Sequence, residues 1–261
     1  MHSFTTTRFI RVIRAAIAVA AVAWIGAAGT FPAAAHAQQG ISPEKERVLR
    51  AAIQTRTGDV AIDSISATPI PGIYAVASDG ELFYTDESGR YGFVNASLVD
   101  MQTRQDLSAQ MLDKINKIDF RKLPLASAIK EVHGKGSRTI AVFEDPNCPV
   151  CRVFTKFLDQ IPDVTIYRFM YPVISPESEE LARAAWCSSN RAGAWKSIMG
   201  GARPQEVRGT NCDISGLTAI VRFGEKHRIQ DTPTVVLANG KRLVGATPPE
   251  QLMQELDAGG R

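Results

Sequence analysis

The sequence predicts an α/β protein in which a small α+β unit and a linker helix precede a larger α/β domain with a helical insertion. Three observations predict it. Thr139–Ile140–Ala141–Val142–Phe143 is an apolar, β-branched run that leads into Cys148–Pro149–Val150–Cys151, where a helical pattern begins. From there the chain reads as strand, helix, strand, helices, hairpin and helix. Ahead of it, between residues 63 and 99, short apolar runs alternate with turn dipeptides, the pattern of a small antiparallel sheet.

Taken in order, Ile41–Ser42–Pro43 opens the first helix, with Ser42 as N-cap and Pro43 at the first helical position. Val48, Leu49, Ala52 and Ile53 recur at helical spacing, and Gly58 is the stop. Ile62–Ser64 and Ile65–Ala67 are too short to assign. Ile73–Ala77 reads as a strand, Asp79–Gly80 as a hairpin turn, Glu81–Tyr84 as the return, Asp86–Gly89 as a turn and Tyr91–Val94 as another strand. A unit of this size buries only about 60% of its unfolded surface, so association is a natural way to complete its core. Asp106–Lys117 reads as a linker helix, with Leu107, Met111, Leu112 and Ile115 forming its apolar stripe and Asp106, Lys114 and Lys117 facing water.

Leu123–Pro124–Leu125 breaks the helical pattern, Ala126–Val132 reads as a short helix or a strand, and Gly134–Lys135–Gly136 turns into the strand at Thr139. The helix after the cysteines continues through Phe154, Phe157 and Leu158. Val164–Met170 is a strand and Ser178–Ser188 a helix. Gly200–Cys212 is a polar loop, and Leu217–His227 is a helix. Thr234–Leu237 and Arg242–Val244 flank an Asn239–Gly240 hairpin turn, and Pro249–Leu256 is the last helix.

The formal charge of +3 is carried by the N-terminus: Arg8, Arg11 and Arg14 lie in Met1–Ala37, which has no Asp or Glu. Without that segment 27 basic residues face 27 acidic ones, so no charge excess points to nucleic acid or an anionic membrane surface. The segment reads as a secretory signal: three arginines, an apolar run over Ala15–Ala28, and a small-x-small site at Ala35–His36–Ala37. The run falls short of the roughly 20 residues that a spanning helix needs. Cleavage is therefore expected after Ala37, and the mature chain begins near Gln38 in an oxidising compartment.

The chemistry lies with four cysteines: Cys148, Cys151, Cys187 and Cys212. A strand that ends in Cys-x-x-Cys at a helix start is a redox arrangement. Helix N-terminal N–H groups favour a thiolate at Cys148, the species that attacks disulfides. Cys148 is expected to be exposed and nucleophilic, and Cys151, one turn in, to be buried and to resolve the mixed disulfide. Pro149 fits the first helical turn. A zinc half-site is the bland alternative. Cys187 and Cys212 form no second close pair, though, and His133 and His227, the histidines left after signal removal, show no ligand spacing, so neither a metal nor a cofactor is expected. Three cysteine pairings are possible. The one that keeps the Cys-x-x-Cys as a unit joins Cys187 to Cys212, read as a structural disulfide, with a second redox pair as the alternative. Glu144 and Asp145 read as a solvated loop, and Trp186, Trp195 and Phe169 as core. Thr232–Pro233 precedes a strand; by statistics alone its bond is trans.

The order of elements around Phe143–Cys151, followed by Thr232–Pro233, resembles the thioredoxin superfamily. Joined to the signal, the small N-terminal unit and the Cys187/Cys212 pair, it is similar to the periplasmic disulfide isomerases of the DsbC/DsbG family. Thr68–Gly72 before Asp79–Tyr84 resembles that family's dimerisation domain. Asp145–Cys151 resembles its active site, Asp231–Thr234 its cis-proline loop and Ala238–Gly240 its hairpin. The resemblance implies a C-terminal thioredoxin-like domain with a helical insertion (121–261), preceded by a small α+β dimerisation domain (38–100) and a linker helix (101–120), after a signal peptide (1–37). It implies a V-shaped homodimer whose catalytic domains face a cleft, and a site kept reduced by a membrane electron donor of the DsbD type. It also implies that Thr232 and a cis Pro233 lie against Cys148 and offer backbone hydrogen bonds to substrate. Pro149–Val150 departs from the Gly–Tyr and Pro–Tyr dipeptides of the best-known members. These two residues modulate thiolate stability, and about 30 mV is a tenfold shift in equilibrium. The expected function is reshuffling of incorrect disulfides in exported proteins in the periplasm. The alternatives are a DsbG-like reductase of single oxidised cysteines and a redox-independent holdase chaperone.

Overall fold

The computed structural model describes residues 40–58, 60–203 and 212–259. The expected signal, Met1–Ala37, lies outside the described residues, as does most of the expected loop between Gly200 and Cys212. Among the described residues no helix is long and apolar enough to cross a membrane.

Helix α1 (Pro43–Thr57) is capped by Ser42, whose hydroxyl accepts from Lys45 N, and it stops at Gly58. It lays Leu49 and Ile53 on a four-stranded antiparallel sheet of β1 (Ser64–Ala67), β2 (Ile73–Ser78), β3 (Glu81–Asp86) and β4 (Gly92–Phe93), in that order. β1 is thus one strand where the sequence shows two unassignable fragments, and pairing with Tyr74–Ala77 supplies what its length does not. At the β2–β3 hairpin both turn residues have positive φ, Asp79 at 56° and Gly80 at 83°, as a tight two-residue hairpin demands. β4 is only two residues long, and Tyr91, Phe93 and Val94 around it are exposed.

A short ribbon, β5 (Val99–Asp100) with β6 (Gln105–Asp106), leads into α2 (Leu107–Ile115). Asp106 is the cap of this helix rather than its first residue, and Lys117 lies beyond its end. Its expected apolar stripe is only half-buried; the buried position is Ser108, bonded to Tyr84 Oη at 2.5 Å and to Leu98 N at 2.7 Å. Met111 and Ile115 instead line a groove with Ile65, Ala75 and Leu82.

Two short 3-10 turns (Phe120–Lys122 and Leu125–Ser127) precede the main sheet. Its strands are β7 (Ile129–His133), β8 (Arg138–Glu144), β9 (Val164–Met170), β10 (Thr234–Leu237) and β11 (Arg242–Val244), in spatial order β11-β10-β8-β9-β7. Only β8 and β9 are parallel, joined by α3 (Pro149–Leu158). β8 is covered on both faces, which is why it reads as an unbroken apolar run. Ile140 and Val142 pack with Phe154 and Leu158 of α3 and with Leu252 and Leu256 of α7 (Pro249–Gly259). Ala141 and Phe143 face α4 (Pro176–Trp186), α5 (Arg191–Met199) and α6 (Ser215–Lys226). The sequence does not display α5: it is short, contains Gly193, and gathers its buried residues, Trp195, Ile198 and Met199, only in its second half.

Cys187, at the C-terminus of α4, is disulfide-bonded to Cys212 with 5.7 Å between their Cα atoms. The 25-residue separation corresponds to about 3.5 kcal/mol of stabilisation in the chain-entropy description. The N-terminal sheet meets the main domain through Arg228, which pairs with Asp63 at 3.0 Å and Asp79 at 2.9 Å, while Asn116 Nδ2 donates to Gly80 O. The hydrogen-bonded guanidinium holds the Asp63 carboxyl below its usual range.

On β9, Arg168 is 2% exposed and pairs with Glu144, Glu131 and Asp159 at 3.1, 2.7 and 2.7 Å. Removing one member of a buried pair leaves the other uncompensated. Arg168→Met is therefore expected to cost about 3–5 kcal/mol, and combining it with Glu144→Gln to cost less than the sum of the two. Urea unfolding of the four proteins checks this; additive losses would refute the coupling.

Candidate active site

β8 delivers the chain to the N-terminus of α3, and Cys148 is the residue that caps this helix. Its sulfur accepts from Cys151 N at 3.1 Å, and the thiol donates to the Thr232 carbonyl at 3.3 Å. The first contact is the usual N-cap bond with sulfur in place of oxygen. Pro149 occupies the first helical position, where its missing N–H costs nothing. Cys148 is not exposed as the sequence suggests. It is 5% accessible, because the Thr232–Pro233 loop closes over it, while Pro149 and Val150 beside it face solvent. Cys151 is fully buried. Burial pushes its thiol well above the usual range, and the neighbouring Cys148 acts in the same direction.

The Thr232–Pro233 peptide bond is cis, with Pro233 buried and Thr232 half-buried. The Pro233 carbonyl accepts from Gly245 N, and β10 starts at the next residue, so the loop is held by the β10–β11 hairpin. Exposed aliphatic side chains lie on two of the segments next to the thiol: Val150 and Val153 on α3, which Cys148 caps, and Val173 and Ile174 after β9, whose backbone N–H groups donate to Asp145. Cys187 and Cys212 are not part of this constellation; they are joined to each other in the helical insertion.

Glu144 and Asp145 correct the sequence reading. Both are fully buried, not a solvated loop. The strand carries them under α3 and the insertion, and each is satisfied there. Glu144 accepts from Thr155 Oγ1 at 2.6 Å, Trp195 Nε1 at 3.1 Å and Arg168 Nη1 at 3.1 Å. Asp145 accepts from Asn147 N, Ser178 Oγ, Val173 N and Ile174 N. Their donors lie up to 51 residues away in sequence, so no local pattern announces them. Among the described residues no cluster of three or more His, Cys, Asp or Glu side chains is placed to hold a metal ion.

An adjacent thiol pair at a strand–helix junction, faced by a cis-proline loop, defines a thioredoxin-fold thiol:disulfide oxidoreductase. Residues 125–260 match the thioredoxin-like domain family, and residues 32–109 match the N-terminal domain of disulfide bond isomerase proteins. The probable thiol:disulfide interchange protein DsbC of Bordetella avium is 36% identical over 208 residues, covering 80% of this chain and 73% of that protein. The DsbC of Escherichia coli K12 is 24% identical over 219 residues, covering 79% and 87%. The crystal structure of a disulfide interchange protein from Neisseria gonorrhoeae is 36% identical, with a TM-score of 0.47, and covers 52% of this chain and 98% of that one. The chain belongs to the DsbC family of thiol:disulfide interchange proteins.

The burial of Cys151 has a measurable consequence. Disfavouring the charged form raises the pKa, so the thiol stays protonated and unreactive where a free cysteine ionises. In Cys148→Ala protein, iodoacetamide at about pH 9, above the ordinary thiol pKa of about 8.5, is expected to leave Cys151 unlabelled until denaturant is added. Rapid native labelling, read by mass spectrometry, would refute it.

Proposed function

We propose that this protein is a disulfide isomerase of the periplasm, which reshuffles incorrect disulfides in exported proteins through Cys148 and Cys151. The observation that carries the reading is the position of the Cys148 sulfur. It lies at a helix N-terminus, between the Cys151 N–H and the Thr232 carbonyl, and the helix it caps carries the exposed Val150 and Val153. The N–H and the helix end face the sulfur that attacks a substrate disulfide. These exposed valines suit apolar segments of a chain that has not finished folding.

The Cys148 thiolate attacks one sulfur of a substrate disulfide. A Cys148–substrate bond forms, the substrate S–S bond breaks, and the released substrate sulfur leaves as a thiolate and takes up a proton. A second substrate thiolate then attacks the substrate sulfur of the mixed disulfide and frees Cys148. Nothing is oxidised or reduced overall, so the step is isomerisation. Alternatively Cys151 gives up its proton and attacks Cys148, which leaves the substrate reduced and the protein with a Cys148–Cys151 disulfide. A membrane electron donor of the DsbD type returns that disulfide to thiols. Burial of Cys151 disfavours its thiolate and so works against this second exit. Thr232 and Pro233 are the substrate-binding loop, and Pro149 and Val150 modulate the redox equilibrium.

In this reading residues 38–100 form a homodimerisation domain, 101–120 a linker and 121–261 the catalytic domain, after a signal cleaved near Ala37. The exposed Tyr91, Phe93 and Val94 and the half-buried stripe of α2 support an association role for the N-terminal part. The exposed aliphatic residues also favour a second activity, holding unfolded chains independently of redox chemistry.

Wild-type protein is expected to reactivate scrambled ribonuclease, and Cys148→Ala to have no such activity while still suppressing aggregation of an unfolded client. Reactivation by Cys148→Ala would overturn the assignment. Sedimentation equilibrium of the mature chain is expected to give twice the chain mass, and a single-chain mass at micromolar concentration would remove the homodimer.

A further inference from the structure

Asp145 lies three residues before Cys148, and its carboxylate is fully buried. Its two oxygens accept four hydrogen bonds. Oδ1 takes Asn147 N at 2.7 Å and Ser178 Oγ at 2.8 Å; Oδ2 takes Val173 N at 2.7 Å and Ile174 N at 2.9 Å. Among the described residues no lysine or arginine pairs with it, in contrast to Glu144 beside it, which is neutralised by Arg168. A buried carboxylate held only by neutral donors is a costly group, and a turn alone does not need it, because an asparagine caps a turn equally well.

The four donors come from two segments. Asn147 belongs to the loop that presents Cys148. Val173 and Ile174 belong to the loop after β9, and Ser178 to the first turn of α4 behind it. Asn147 adds a second tie in the same direction, with Nδ2 donating to Ser175 Oγ at 3.1 Å and Ser178 Oγ at 3.3 Å. The two residues whose backbone Asp145 grips are also the ones whose side chains stand out in water, Val173 at 42% and Ile174 at 52% exposure. One carboxylate therefore fixes an apolar lip relative to the thiol.

We infer that Asp145 is a substrate-positioning residue: by locking the Val173–Ile174 loop to the Cys148 loop, it sets where an apolar polypeptide segment lies across the reactive sulfur. The inference rests on the isomerase reading of the site. It adds that the lip is held rigidly and that its holder is a charge, not an apolar contact. Asparagine at this position keeps the volume and one acceptor oxygen, but turns an NH2 toward one pair of donors and releases one of the two loops.

The test compares wild type and Asp145→Asn with two substrates. One is scrambled ribonuclease, which reaches the lip; the other is hydroxyethyl disulfide, which is too small to. For Asp145→Asn the KM for scrambled ribonuclease is expected to rise about tenfold with kcat nearly unchanged, since small misplacements at a reacting centre have effects of this order or larger. The rate with hydroxyethyl disulfide is expected to stay within about twofold of wild type. An unchanged KM overturns the inference. So does an equal loss with both substrates, which would place the effect on the thiol itself. If Asp145→Asn does not fold, Ser178→Ala decides: loss of one donor of four should raise KM for the protein substrate about two- to threefold, and no rise overturns the inference. Wild-type protein inactive on scrambled ribonuclease would instead remove the isomerase reading.

Discussion

Strand β8 is buried on both faces, and this constrains everything at its C-terminal end. Ile140–Phe143 is wholly apolar and wholly inaccessible, with α3 and α7 on one side and α4, α5 and α6 on the other. The chain cannot turn outward at once when it leaves such a strand, so its first polar residues, Glu144 and Asp145, emerge while still inside. Buried polar groups must be paired, and the surroundings are built to pair them. Arg168 on β9, Thr155 on α3 and Trp195 on α5 meet Glu144. The backbone after β9 and Ser178 on α4 meet Asp145. The same two carboxylates thereby attach α3 and the helical insertion to the strand that carries the thiol.

This arrangement separates two tasks in adjacent residues. Glu144 is a charge matched by a charge, and its bonds reach helices and a strand that do not move independently. Asp145 is a charge matched only by neutral donors, and its bonds reach two loops at the surface. The first kind of site fixes the framework. The second fixes the loop that presents Cys148 relative to the loop after β9. Between them and α3 lies Cys148, whose sulfur fills a helix-cap role that serine or aspartate fills elsewhere in the chain, as at Ser42 and Asp106.

The strands and helices that hold the thiols are legible in the sequence because their signals are local. The β-branched run of β8, proline at the first position of α3, the Asp79–Gly80 and Asn239–Gly240 turns and the serine cap of α1 each specify a conformation within a few residues. What is illegible depends on distance. α5 carries no continuous stripe, and it is held by Trp195 reaching Glu144 across 51 residues. β1 is a strand only because β2 pairs with it. The burial of Glu144 and Asp145 goes against the ordinary expectation for acidic residues ahead of a loop, and only their distant partners reverse it. Cys148 is covered by a loop 84 residues further on, so its low accessibility is invisible from the local pattern that identifies it as a redox cysteine.

The exposed aliphatic residues are the part of the site that folding does not explain. On α3, Cys151, Phe154, Thr155 and Leu158 form the buried face, and the opposite positions would ordinarily be polar. Val150 and Val153 stand there instead, at 47% and 70% exposure. Neither contributes to the clusters that fill the interior, so replacing them with polar residues would cost the fold little. Val173 and Ile174 are exposed in the same way on the loop whose backbone donates to Asp145, three residues before Cys148. Four exposed aliphatic side chains on two segments next to one thiol are more than scattered surface residues account for. In the proposed function, a client whose own apolar segments are not yet buried is the partner for them. The proposed function therefore accounts for both unusual features of the site: a thiol poised at a helix end and exposed aliphatic residues on the segments beside it.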